Sequence, residues 1–420
     1  MRIIYFSDTF LPKIDGIAVS IKNFSELLSA KGHEFIIFAP GYGKDDFSRL
    51  NEQVSVERFM SASLPSYPDV KMVLPSPNRI KRILTEFQPD LIHIHTPGVL
   101  GQYALTASEK YGIPTIGTYH TLISEQDAYI SIYRLLKIDK FFSIMSRFDK
   151  LNLKDLLKIV KTDKFNINKK ILLKLCNYFY DKCDRVVSPS YLLRDQLMEF
   201  GIKKPIHVIS NGMDLSKFTG TVKSLPKDPK ILHVGRISYE KNCDVVIKSF
   251  QLILKKFPTA ELTIIGDGPA LPSLKRQAQN LGLQDKITFT GFLAHAELPK
   301  HYPQHDLFLT ASTMETQGLV ILEAIACGLP AVGVKSYAIP ELIQEGKNGY
   351  NAAPFQAEEL SEKTIQVLSS AETYQEFSKN SIEIAKGHEL GLSVNKMEEL
   401  YEEIAIKSKR KKSSVFNMLM

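Results

Sequence analysis

Short apolar runs alternate with longer amphipathic stretches along this chain. RIIYF, EFIIFAP, DLIHIH, IPTIGTY, RVVSPS and IHVIS have the character of buried parallel strands. Between them, IAVSIKNFSELLSAKGH, PNRIKRILTEF and PSYLLRDQLMEFG repeat apolar positions at helical spacing. A polar, turn-rich stretch, NGMDLSKFTGTVKSLPKDPK, interrupts the alternation, and then the pattern restarts. KILHVG, AELTIIG, KITFTG, DLFLTA and LPAVGV form a second set of strands, separated by NCDVVIKSFQLILKKF, LPSLKRQAQNLG and a helix that opens near Gly318. The expected fold class is α/β: two doubly wound, Rossmann-like domains facing across a cleft, with ligands beyond the strand C-termini. The expected boundaries are 1–205 for the first domain, 206–390 for the second, and 391–420 for a C-terminal helix and basic tail.

Composition places the chain among ordinary globular proteins. It has 420 residues, 44% hydrophobic and 24% charged, which suits two or three domains. Cys176, Cys183, Cys243 and Cys327 are scattered and form no CxxC pair, as expected of reduced, buried thiols in a cytosolic protein. MRIIYFS is too short for a signal peptide, and no run approaches ~18 apolar residues.

The net charge of +7 is local. Residues 131–182 hold 13 Lys/Arg against 5 Asp, and Lys407, Lys409, Arg410, Lys411 and Lys412 add a second basic patch. The remainder is mildly acidic, which argues against a protein-wide nucleic-acid surface and fits a flat anionic partner better.

Candidate chemistry gathers at METQGLVILEAIACGLPAVGV (314–334). On one unbroken helix Glu315 and Glu323 would stand roughly 80° apart in azimuth and about 12 Å apart along the axis, which suits neither a metal site nor a shared proton. A helix beginning near Gly318 leaves Glu315 on the preceding loop and Glu323 inside, so that a ligand can sit between them against the helix N-terminus. In KILHVGRISYEKN, Arg236 follows a strand and Lys241 precedes a helix, and two cations in one short loop suit a diphosphate. Gly16 stands at a helix start after the first strand, where backbone can approach a phosphate. A nicotinamide site is disfavoured. TIIGDGPAL supplies Gly266 and Gly268 but Leu271 where the third glycine belongs, and the first strand lacks the fingerprint.

Together, Gly16, the Arg236–Lys241 loop, IIGDGP and the paired glutamates resemble retaining glycosyltransferases of the GT-B fold, in the large family four. The resemblance covers nearly the whole chain, and its implied ligand is a nucleotide sugar. It implies that Glu315 holds hydroxyls of the transferred sugar and Glu323 the ribose. Gln317, Gly318 and Leu319 lie on the donor side, with backbone amides facing the diphosphate, and Arg236 and Lys241 neutralise it. Leu293, in FTGFLAH, is expected at the base pocket, chiefly through backbone groups. His120, in IGTYHTL, is implied beside the transferred sugar and acceptor, positioning rather than attacking. No metal or other cofactor is then required, because a helix N-terminus and two cations can hold the departing diphosphate. His93 and His95 share a strand face and are expected to be packed or hydrogen-bonded rather than metal ligands.

Residues 122–182 are longer than in compact relatives and carry basic, amphipathic character; an ordinary helical subdomain with a solvated lysine face is the plainer alternative. With KSKRKKSSVFNMLM at the C-terminus, they suggest an anionic membrane surface, and hence a peripheral protein on the inner face of the cell membrane. The resemblance makes the first domain acceptor-binding. YHTL and ETQGL look most like enzymes that glucosylate diacylglycerol, which implies UDP-glucose and a membrane lipid acceptor. GDP-mannose with a phosphatidylinositol acceptor is the runner-up, and a nucleotide-sugar epimerase or an inactive membrane scaffold are the further alternatives. Ser336, Tyr337 and Ala338 stand where many relatives carry glycine-rich residues.

Overall fold

Ile3, Ile4, Tyr5 and Phe6 are fully buried at successive positions, as in a strand covered on both faces. In the computed structural model, which describes residues 1–13, 15–43, 46–64, 67–74, 76–120 and 169–418, they form β1 (Arg2–Phe6). β2 (Glu34–Pro40), β3 (Arg49–Asn51) and β4 (Val54–Phe59) follow, then a separate antiparallel pair, β5 (Ser61–Leu64) and β6 (Tyr67–Val73). β7 (Leu91–Ile94), β8 (Thr115–Thr118), β9 (Arg185–Ser188) and β10 (Ile206–Val208) complete the first sheet. Its order is β10-β9-β8-β7-β1-β2-β4-β3, parallel except for β3.

The second sheet comprises β11 (Lys230–Val234), β12 (Glu261–Ile265), β13 (Ile287–Gly291), β14 (Leu307–Leu309), β15 (Ala331–Val334) and β16 (Gly349–Ala352). All pairs are parallel, in the order β13-β12-β11-β14-β15-β16. Strand order therefore reverses between β11 and β14, and in the first sheet between β1 and β7. At such reversals the connections leave in opposite directions and open a crevice beyond the strand C-termini.

The chain divides into two compact units. One gathers 1–189, 194–209 and 394 onward; the other holds 190–193 and 210–393. β10 pairs with β9, so the first sheet extends past residue 205. The long helix Leu390–Met418 returns to the first unit because Tyr401, Ile404 and Ala405 are buried there. Sequence pattern had not separated β3 to β6, β16, or the helices Ala357–Val367 and Ala371–Lys386. Residues 121–168, most of the basic segment 122–182, lie outside the described residues, as do the side chains of Lys169, Lys170 and Lys174; Lys169–Lys182 is helical.

Candidate functional site

In the second unit, the loops after β11 and β14 flank the reversal of strand order, and they carry Arg236, Lys241 and Glu315. Two glycines of IIGDGP explain how the first loop is held. Gly266 (φ 138°) and Gly268 (φ 155°) cross the β11 loop so closely that a Cβ on either would lie 1.9 Å from the Gly235 carbonyl oxygen or 2.4 Å from that of Ile237. The Ile237 amide donates to the Asp267 carbonyl at 2.9 Å, and the Ala270 amide to the Ile237 carbonyl at 3.0 Å. Asn242, at φ 50°, ties the two functional loops together. Its amide nitrogen donates to the carbonyls of Glu240 (3.2 Å) and Ala311 (3.1 Å) and to Thr313 Oγ1 (3.2 Å).

Lys241 Nζ pairs with Glu315 Oε1 at 2.5 Å, with both side chains largely buried. Arg236 is different: its guanidinium is 65% exposed and reaches Glu240 at 2.6 Å. Glu315 is fixed further by its carbonyl, which accepts from the Ala338 amide at 3.1 Å. Next to Ala338, Tyr337 adopts φ 45°, the left-handed conformation that favours glycine, while Ser336 Oγ donates to the Thr313 carbonyl at 3.0 Å. The glycine-like backbone is thus kept with a bulky side chain in place.

Gly318 (φ 79°, ψ 55°) is the N-cap of the helix Leu319–Ala326, and its carbonyl accepts from the amides of Ile321 and Leu322, each at 3.0 Å. Glu315 therefore lies on the loop and Glu323 within the helix. Glu323 is buried. Its Oε2 accepts from the Tyr302 hydroxyl at 2.6 Å, and its Oε1 lies 2.8 Å from His295 Nε2. The carboxylate raises the His295 pKa through this hydrogen bond, against the opposing effect of burial. Burial, with Glu323 adding to it, pushes the Tyr302 phenol well up. Sequence reasoning missed His295 and Tyr302, since no spacing links them to residue 323.

Gln317 is buried and turned onto the protein: its Oε1 accepts from the Asn211 amide (2.9 Å), and its Nε2 donates to Ser210 Oγ (2.6 Å). This side chain supports the 210–211 segment. Leu293 is half-buried against the core of this unit, beside the exposed Phe292.

In the first unit, β8 leads into His120, which is buried. His120 Nε2 lies 3.0 Å from His95 Nδ1, and the two rings stack at 5.3 Å. His95 stacks in turn on His93 at 4.1 Å. His93 Nε2 is 2.6 Å from Thr118 Oγ1, and its Nδ1 is 2.5 Å from the Tyr401 hydroxyl, itself 2.9 Å from that of Tyr5. Burial lowers all three imidazole pKa values, His120 to about 4, with Asp15 opposing the shift there, so the stack is neutral near pH 7. His93 and His95 are hydrogen-bonded and packed, and no group of three or more metal-ligating side chains occurs among the described residues. Gly16 opens the helix Gly16–Ser29, whose N-cap is Asp15: its Oδ1 accepts from the Ala18 amide at 2.9 Å and satisfies one of the free amides of the first turn.

Comparison with known proteins shows the family and the fold of this chain. Residues 14–217 match the family described as Glycosyltransferase Family 4, and residues 220–384 match Glycosyl transferases group 1. The chain is 31% identical to an alpha-monoglucosyldiacylglycerol synthase of Streptococcus pneumoniae over 82% of this chain and 74% of that protein. Its identity to an alpha-monoglucosyldiacylglycerol synthase of Acholeplasma laidlawii is 28%, over 98% and 99% of the two chains. Among solved structures, sucrose-phosphate synthase from Thermosynechococcus elongatus superposes with a TM-score of 0.74 over 96% of this chain and 98% of that one, at 18% identity.

Proposed function

From the premise that this chain belongs to the family 4, group 1 glycosyltransferases of GT-B fold, we propose that it is a retaining hexosyltransferase moving glucose from UDP-glucose onto diacylglycerol or a closely related membrane lipid. The observation that carries the reading is the pairing of Lys241 with Glu315 on one side of Gly318 and the anchoring of Glu323 inside the following helix on the other. An elongated donor needs a grip at each end and positive charge at its middle. Glu315 is assigned to the sugar hydroxyls and Glu323 to the ribose. Lys241, Arg236 and the helix N-terminus at Gly318 and Leu319 are assigned to the diphosphate, where negative charge develops as the glycosidic bond breaks. No metal is needed for that stabilisation.

His120 is assigned to the reacting sugar and the acceptor. As a neutral imidazole near pH 7, it offers hydrogen bonding and orientation rather than a positive charge. Relatives named for monoglucosyldiacylglycerol synthesis support glucose and diacylglycerol. No helix among the described residues is long and apolar enough to cross a membrane, so access to a lipid is assigned to peripheral contact through the basic segment and the C-terminal tail. The test offers radiolabelled UDP-glucose, UDP-galactose and GDP-mannose with vesicles containing diacylglycerol, with and without a chelator, and identifies the product. Glucosyl transfer that retains the α configuration and survives chelation is the expected result. Transfer of mannose alone, or consumption of donor without lipid, overturns the reading.

A further inference from the structure

In the cluster around Glu323 the imidazole of His295 differs from its neighbours in exposure. Glu323 is 5% exposed at its side chain and Tyr302 is fully buried, whereas the His295 side chain is 48% exposed. His295 is therefore the most exposed member of the cluster. Each carboxylate oxygen of Glu323 has one partner here, Tyr302 on Oε2 and His295 on Oε1, and each can accept a second hydrogen bond. The carboxylate can thus receive hydroxyl groups while keeping both of its protein partners.

We propose that His295 is a proton-linked part of the nucleotide-sugar site: held on Glu323, it binds the donor as the imidazolium, and the protein takes up a proton as the anionic donor arrives. This inference rests on the proposed donor site and deepens it. Among the described residues, the groups facing His295 are few. Glu323 comes from the helix, Lys217 and the apolar ring of Phe218 (5.7 Å) from the segment before β11, and Tyr302 stands behind the carboxylate. Lys217 is itself paired with Asp214 at 3.0 Å, and Glu297 on the His295 loop accepts from the Ala294 amide at 3.2 Å. The carboxylate hydrogen bond is the leading influence and favours the protonated form, with burial and Lys217 opposing it. A pyrophosphate carrying two negative charges favours that form further. Because linkage is reciprocal, a ligand that raises the affinity for a proton is bound more tightly by the protonated protein.

Isothermal titration of the full chain with UDP-glucose and, separately, GDP-mannose tests this, since neither pyrophosphate titrates between about pH 6 and 8. Each titration is run near pH 6 and pH 8, and near pH 7 in two buffers of different ionisation enthalpy. The expected result is binding ~3-fold or more tighter at pH 6, with net proton uptake near pH 7. His295→Asn preserves a donor to Glu323 without a titrating ring and should bind with little dependence on pH and no uptake. His295→Gln is the second variant, and circular dichroism confirms that both fold. Equal pH dependence and equal uptake in wild type and both variants overturns the inference while the donor site stands. If neither nucleotide sugar binds the wild type at either pH, the donor-site reading fails and this inference fails with it.

Discussion

Lys241 Nζ and Glu315 Oε1 lie 2.5 Å apart, although 74 positions separate them in the chain. Neighbouring strands β11 and β14 deliver the two loops to the same end of the sheet, and Asn242 fastens one loop to the other. The pair is largely buried, so removing one partner leaves a charge without compensation. Lys241→Ala and Glu315→Ala should each lower the melting temperature, whereas the double variant Lys241→Met/Glu315→Gln should recover most of the loss. Lys241→Ala should also weaken donor binding ~10-fold or more, as a charge-assisted contact to phosphate is worth about 1.5–3 kcal/mol. Thermal melts and calorimetric titration with UDP measure both. An unchanged UDP affinity would remove Lys241 from the donor site.

Arg236 provides the contrast within the same loop. Its ion pair with Glu240 is exposed, and such pairs contribute little to stability. Arg236→Ala should melt with the wild type while losing donor affinity, a separation of effects that Lys241→Ala does not show. The check is a melt and a titration on one preparation. A fall in melting temperature comparable to that of Lys241→Ala would mean that Arg236 is structural.

The two glutamates should separate kinetically. Glu323→Gln disturbs the anchor shared with Tyr302 and His295 and should weaken binding of bare UDP, since ribose is its assigned partner. Glu315→Gln should leave UDP affinity within about threefold and mainly reduce turnover with the complete donor. Steady-state kinetics beside UDP titration distinguishes the two patterns, and identical profiles for both variants would count against the assignment.

The histidine stack gives folding a pH dependence of definite sign. His93, His95 and His120 bind protons less readily when folded than when unfolded, so the unfolded chain takes up protons on acidification. Stability from these groups is fully present above about pH 6.5 and is lost as pH falls below it; for His120 the loss runs down to about pH 4, and that drop from 6.5 corresponds to about 3 kcal/mol. Urea unfolding between pH 7 and pH 5 should show this decline. His120→Asn should flatten the curve, and a wild-type curve that is already flat would contradict burial of a neutral stack.

The C-terminal helix carries two different segments. Up to Ala405 it is packed, with Tyr401 bonded to Tyr5 and His93, whereas Ile406 is exposed. Deleting residues 407–420 should therefore leave the melting temperature within ~2 °C and the donor affinity unchanged. Binding to vesicles with anionic lipid should fall, as should glycosylation of a lipid in those vesicles. Cosedimentation at low and high salt measures it. Equal vesicle binding with and without the tail would assign the membrane contact elsewhere.

Sequence alone determined the class of fold and most of its strands, because a strand buried on both faces must be apolar at every position and therefore stands out from helices on either side. EFIIFAP forms β2 over all seven of its residues, and the expected start of a helix near Gly318 agrees with the αL cap found there. Two backbone-level predictions, the place of Glu315 on a loop and of Glu323 in a helix, followed from the position of one glycine. The partners of these residues were decided by tertiary structure. Lys241 meets Glu315 only because strand order runs from β11 to β14, and Glu323 meets Tyr302 and His295 only because the segment after β13 folds back over its helix. The stack of His120, His95 and His93 depends on parallel strands β7 and β8 in register, and its tie to Tyr401 depends on a helix that begins some 270 residues later and returns to the first sheet. Hydrophobic periodicity is a local property of the chain and is written in it. Hydrogen bonds between distant side chains follow from strand order and register, which the chain settles only by packing its whole core.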